Sequence, residues 1–314
     1  MHLLFCFLIF NIHAETITKN NELLSKLNLI PGQEGVEIRY GYELFTYTPK
    51  YFGPKGIVFK GTKSRISCSN CHLESGTREL GNSLIDTHAS YPQFRSRENE
   101  IQTLSDRINA CYRHPNLGTK DIPVDSREMK ALQLYIKWIG RGRQILEKDL
   151  DGRLIKLEFL NRAADPILGK KIFNDKCIQC HTENGQGKLS EDKNGYIYPP
   201  LWGHESFMLG SSMSRLSILS RFIKGNMPYG TSPNAPQLSD EEAWDVAAFI
   251  MSHPRPQWVG KIPFKGSMFK TKPFDYPLAP YADNFSQSQH QLGPFKAIME
   301  NDKKQKIEST SSGI

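Results

Sequence analysis

Two copies of one five-residue pattern constrain this chain more than anything else in it: Cys68-Ser69-Asn70-Cys71-His72 and Cys177-Ile178-Gln179-Cys180-His181. Cys-x-x-Cys-His is the attachment pattern of a c-type haem. Two thiols form thioethers to the porphyrin, and the adjacent histidine becomes an axial ligand of iron. One copy is a weak signal, whereas two copies behind an export-like start are a strong one. The expectation is two covalently bound haem c groups, attached through Cys68, Cys71, Cys177 and Cys180, with iron on His72 and His181.

Cysteine arithmetic adds a second constraint. Of six cysteines, four are used by the haems and Cys6 lies in the leader, which leaves Cys111 with no disulfide partner. A lone thiol in an oxidising compartment is either buried and inert, joined to another molecule, or bound to iron. The leader is the apolar run from Leu3 to Phe10 followed by Asn11-Ile12-His13-Ala14. It reads as a secretory signal over 1–14 with cleavage after Ala14. The run is too short to span a bilayer, which takes roughly 20 apolar residues, and no other stretch is long enough. A soluble periplasmic protein is expected. Its net charge of +7 favours an anionic substrate or an acidic redox partner; nucleic acid is not expected of an exported haem protein.

The chain also carries a degenerate internal repeat. Gly41-Tyr42-Glu43-Leu44-Phe45 mirrors Gly169-Lys170-Lys171-Ile172-Phe173, and each copy precedes a haem pattern. Each unit closes with an amphipathic helix. The first is predicted from Asp125, as N-cap, to Gly140, with Met129, Leu132, Tyr135, Ile136 and Ile139 as its apolar stripe. The second starts at Ser239, with Glu242 completing a capping box, and stops before Pro254. A Gly-x-x-x-aromatic helix before the haem and an aromatic-rich helix at the end resemble the class I cytochrome c fold. The expected fold is therefore mainly α, with two class I cytochrome c-like domains at 15–145 and 146–260. Residues 261–314 read as an extended Pro- and aromatic-rich arm ending in a solvated, partly disordered tail.

The far-side ligands follow less directly. For the second haem, Met208, Met213 and Met227 are available. Met227, in Gly225-Asn226-Met227-Pro228, is favoured because the proline fixes the loop, and His/Met ligation suits an electron-exit haem. The first unit has no matching Met-Pro. Cys111 is favoured there, with His88 and His114 as alternatives, because a thiolate lowers the iron potential and nearby positive charge lowers a thiol pKa. Arg107, four residues before Cys111, shares its face if one helix carries both. Spacing alone does not place Arg95 and Arg97, and His204 and His253 stay unassigned.

These residues resemble the dihaem thiosulfate dehydrogenases. The resemblance rests on Cys-Ser-Asn-Cys-His-Leu-Glu-Ser-Gly at 68–76, Tyr91-Pro92-Gln93-Phe94-Arg95-Ser96-Arg97, and Leu104-Ser105-Asp106-Arg107-Ile108-Asn109-Ala110-Cys111. Tyr198-Pro199-Pro200-Leu201-Trp202-Gly203, Asn226-Met227-Pro228 and His253-Pro254-Arg255-Pro256 extend it over nearly the whole chain. It implies that two thiosulfate ions are coupled into tetrathionate, some members running the reverse, with electrons leaving to an external c-type cytochrome. It further implies that Cys111 is the axial thiolate of the first haem and carries a sulfur adduct. By the same resemblance Arg97 and Arg107 are the active-site arginines, and Met227 is the ligand of the second haem. Some members place a lysine before that methionine; here Asn226 stands there. A plain dihaem electron carrier, a dihaem peroxidase and a subunit of a larger sulfur-oxidising complex are the alternative readings.

Overall fold

The computed structural model describes residues 21–95, 98, 100–113, 116–141, 153–257 and 272–311. The leader read over 1–14, together with Arg97 and His114, lies outside them, as do 142–152 and 258–271.

The first unit is built on helices α1 (Gly32–Thr46), α2 (Leu104–Arg113) and α3 (Arg127–Ile139). Ser126, not the expected Asp125, caps α3, its hydroxyl accepting from the Met129 N–H. The predicted stripe Met129, Leu132, Tyr135 and Ile136 is buried against Ile38, Tyr42 and Phe45 of α1. Each large apolar side chain removed from water in this way contributes about 1.5–3 kcal/mol. The two helices cross with backbones nearly touching: a Cβ at Gly41 would collide with the Ala131 carbonyl.

The second unit uses the same device. Its helices are α4 (Pro166–Lys176), α5 (Leu216–Asn226) and α6 (Asp240–Met251). Asp165 caps α4 by accepting from the Ile167 and Leu168 N–H groups, and Pro166 holds the first helical position, where no N–H is needed. Ser239 and Glu242 form the expected capping box of α6. A Cβ at Gly169 would strike the Asp245 carbonyl, so α4 and α6 also meet through glycine. Phe173, Trp244, Ala247 and Ala248 fill the core between them.

Two short antiparallel hairpins complete the frame: β1 (Gln93–Arg95) with β2 (Glu100–Gln102), and β3 (Lys188–Leu189) with β4 (Tyr196–Tyr198). The second hairpin bears on the first unit, where Asn70 Nδ2 donates to the Tyr196 carbonyl at 3.2 Å. Nearby, Arg65 Nε donates to Glu205 Oε2 at 2.9 Å, and Ser64 Oγ donates to the Glu205 carbonyl at 2.7 Å. Asn226 Nδ2 reaches back to the Leu80 carbonyl at 3.0 Å. The two units are thus joined through polar groups close to both haem patterns.

The C-terminal segment departs from the expected extended arm and solvated tail. It folds into α7 (Gln287–Leu292) and α8 (Lys296–Ser311). Ser286 caps α7 by accepting from the Gln289 N–H. Phe295 and Ile298 are buried in the second core, with the Phe295 ring 5.6 Å from that of Trp244. These two apolar anchors, hidden in a polar stretch of sequence, hold the start of α8. Among the described residues no helix is long and apolar enough to cross a membrane.

Candidate active site

A deep cleft opens in the first unit, enclosing about 1230 Å³ of empty space including its mouth. Cys68, Cys71, His72, Arg107 and Cys111 all line it. His72 Nδ1 lies 2.7 Å from the Asn82 carbonyl oxygen. A carbonyl only accepts, so Nδ1 carries the proton and Nε2 is left free as a ligand. Helix α2 is fixed at its start by Asp106, whose Oδ2 accepts from the Thr103 N–H at 2.8 Å. It places Arg107 and Cys111 one turn apart on the cleft side.

Cys111 differs in electrostatics from the other two thiols here. Burial alone would push it up, but the Arg107 guanidinium, the neighbouring His72 ring and Arg95 outweigh burial and bring it down to about 6. Burial instead pushes Cys68 up to about 11 and Cys71 up to about 12. Cys111 is therefore the thiol of this cleft that is a thiolate near neutral pH. The effect is mutual, since the Cys111 charge is the leading reason that Arg107 holds its proton more tightly.

More cationic groups gather here than the sequence indicated. Arg95 sits at the end of β1, and Arg153, at the far end of the chain joining the units, lines the cleft itself. Tyr91 lies among them: burial raises its phenol, while Arg107, Arg95 and Arg153 each pull it down. Arg153 falls in a charged connecting stretch with no local pattern, so sequence reasoning had no handle on it. Met213, the less favoured alternative to Met227 at the second haem, packs in the second core and also reaches the first unit. The structure sets it in the first cleft, beside Ser211 and Ser212, because the turn before α5 reaches across from the second unit. His88 sits in a 3-10 turn and does not line the cleft.

In the second unit, Cys177, Cys180 and His181 lie at the end of α4 and the turn after it. His181 Nδ1 lies 3.0 Å from the Pro199 carbonyl, so its Nε2 is likewise free. Met227 follows the C-terminus of α5 and packs on the second core. Of the unassigned histidines, His204 is exposed beside Glu205, and His253 stacks on Trp202 with ring centroids 3.9 Å apart.

The donor chemistry suits haem c. Among the described residues no three or more His, Cys, Asp or Glu side chains converge to hold a bare metal ion. The first cleft offers a histidine nitrogen and a cysteine sulfur, His72 and Cys111, donor types that haem iron accepts, next to the thiols Cys68 and Cys71 and walls of Leu44, Phe45 and Ile136.

Comparison with known proteins agrees. Residues 59–145 match the SoxA/TsdA cytochrome c domain, and residues 167–254 match the cytochrome c family. The chain is 32% identical over 243 residues to a thiosulfate dehydrogenase of Thiomonas intermedia, covering 76% of this chain and 74% of that one. It is 33% identical over 239 residues to a thiosulfate dehydrogenase of Stutzerimonas stutzeri, covering 76% and 73%. The solved thiosulfate dehydrogenase (TsdBA) of Marichromatium purpuratum aligns with a TM-score of 0.66 at 28% identity. That alignment covers 73% of this chain, which spans about half (48%) of the solved one. The chain is a c-type cytochrome with two mainly helical cytochrome c domains.

Proposed function

We propose, from the premise that this chain belongs to the thiosulfate dehydrogenase family, that it is a periplasmic dihaem enzyme joining two thiosulfate ions into tetrathionate. The observation that carries this reading is the convergence of Cys111 and His72 on one cleft, with Arg107 a single turn away from Cys111. His72 and Cys111 would hold the first haem iron, and His181 and Met227 the second. Each haem, when bound, supplies a one-electron acceptor, so the pair takes the two electrons released when two thiosulfates are joined.

The chain's own residues do the rest. Arg107, with Arg97, attracts the sulfonate of a thiosulfate dianion and sets its terminal sulfur beside Cys111. The cationic cluster offsets the repulsion between two anions that keeps them apart in water. Cys111 forms a sulfur–sulfur bond to that terminal sulfur and becomes a cysteinyl thiosulfonate. It later leaves as thiolate, for which its depressed pKa suits it. An external c-type cytochrome takes the electrons onward.

Steady-state turnover of the haem-loaded protein with thiosulfate and an artificial acceptor, beside Cys111→Ala, tests the proposal. Activity in the parent that disappears in the variant, with both haems retained, is the expected result. Equal activity in the two would remove Cys111 from the chemistry.

A further inference from the structure

Tetrathionate carries a sulfonate at each end, and its assembly requires two thiosulfates at once. The function proposed above assigns Arg107 to one sulfonate, and no residue has yet been assigned to the other. We infer that Arg153 binds the sulfonate of the second, attacking thiosulfate, an inference that rests on the function proposed above.

Two independent observations place it there. Arg153 lines the same cleft as Cys111 and Arg107. Its Nη2 is buried and has no hydrogen-bond partner among the described residues, whereas buried polar groups are ordinarily paired. Burial, followed by the like charges of Arg107 and Arg95, lowers the proton affinity of this guanidinium. Asp86 and Tyr91 offset this only in part, so a partly buried guanidinium with one unpaired nitrogen, crowded by two like charges, is favoured by an anion that enters among them. The arginine is also held in place. Its carbonyl accepts from the Asn82 N–H at 3.1 Å, and the Asn82 carbonyl in turn orients His72. The donor is thus tied to the same backbone as the iron-ligand histidine.

The step it serves transfers no electrons. Formation of the adduct Cys–S–S–SO₃⁻ releases two electrons, which the bound haems would take before this step. The second thiosulfate, held at Arg153, attacks the adduct's sulfane sulfur through its own terminal sulfur. A new sulfur–sulfur bond forms, the bond to the Cys111 sulfur breaks, and Cys111 departs as thiolate with that electron pair, leaving tetrathionate.

The test uses the full haem-loaded chain and its Arg153→Gln and Arg153→Lys variants. Losing a charge-assisted contact is expected to raise the thiosulfate KM of Arg153→Gln by roughly 10–100-fold, with Arg153→Lys intermediate. Mass spectrometry of the Cys111 peptide after a single addition of thiosulfate is expected to find the adduct in both parent and variant. On a second addition the adduct is expected to clear fast in the parent and slowly in Arg153→Gln. Unchanged KM and clearance would overturn the inference. Unchanged KM with a shifted first-haem potential would also overturn it, and would assign Arg153 to a haem propionate. A parent that neither turns over thiosulfate nor forms an adduct would instead overturn the function on which the inference rests.

Discussion

Asn70, which stands between the two cysteines of the first haem pattern, donates its side-chain amide to the Tyr196 carbonyl of the other unit at 3.2 Å. Two residues further along the same strand, the Tyr198 ring stands 6.4 Å from the ring of His181. One three-residue strand therefore touches both haem attachment sites. Replacing Asn70 with Ala should keep both haems but loosen the strand, costing about 1 kcal/mol of stability. Intramolecular electron transfer, followed after rapid photoreduction, should be slower in the variant. An unchanged rate would show that the strand does not set the spacing between the haems.

The Arg65–Glu205 pair gives the junction a pH dependence. Burial raises the Glu205 carboxyl, but the hydrogen bonds and charge of Arg65 outweigh burial and hold it below the ordinary carboxylate value. A depressed folded pKa stabilises above the unfolded value, about 4.3, and that stabilisation is lost as pH falls through the folded value. Glu205→Gln should cost roughly 1–2 kcal/mol at pH 7, and the difference from the parent should vanish in acid. Thermal melts at pH 7 and below pH 4 measure both ends. A constant difference would show that the charge on Glu205 contributes nothing.

Arg107 is expected to act on two properties at once. It is the strongest influence lowering the Cys111 thiol, and it lies within reach of an anion bound there. Arg107→Gln should reduce kcat/KM for thiosulfate by about 10²–10³-fold. The pH below which Cys111 takes up a proton should also move upward, because the thiolate loses the cation that lowers it most. A variant whose Cys111 takes up its proton at the parental pH would place the controlling charge elsewhere.

The two helix crossings predict a steep steric response. A methyl group at Gly41 or Gly169 meets a carbonyl oxygen of the facing helix. Gly41→Ala and Gly169→Ala should each cost about 3 kcal/mol and lower haem yield in the affected unit alone. Denaturant melts of the purified variants report the first quantity, and absorbance per protein reports the second. A stability loss within experimental error would mean that the helices separate without penalty.

How much of this the sequence disclosed depends on how local each signal is. The Ser239–Glu242 capping box and the stripe from Met129 to Ile136 lie within a few residues of chain, and both were readable. The cap of α3 was misread by one position, since Asp125 and Ser126 are both good caps and only the hydroxyl geometry separates them. That Arg107 and Cys111 share a face was legible once α2 is a single helix. Arg153 was not, because it meets the cleft through a contact far away in sequence, its carbonyl accepting from the Asn82 N–H. The second role of Met213 was hidden for a similar reason: it packs in the second core and also lines the first cleft. Phe295 and Ile298 were missed because two apolar residues in a polar stretch show no period until Trp244 is beside them.

Met213, Ser211 and Ser212 carry one more implication. The wall they supply means that the first cytochrome unit is not a self-contained part. Grafting a foreign electron-carrying domain in place of the second unit would leave the chemistry of Cys111 open to bulk water on that side. The two halves are thus coupled at the cleft itself, where a change in either must be tolerated by the other.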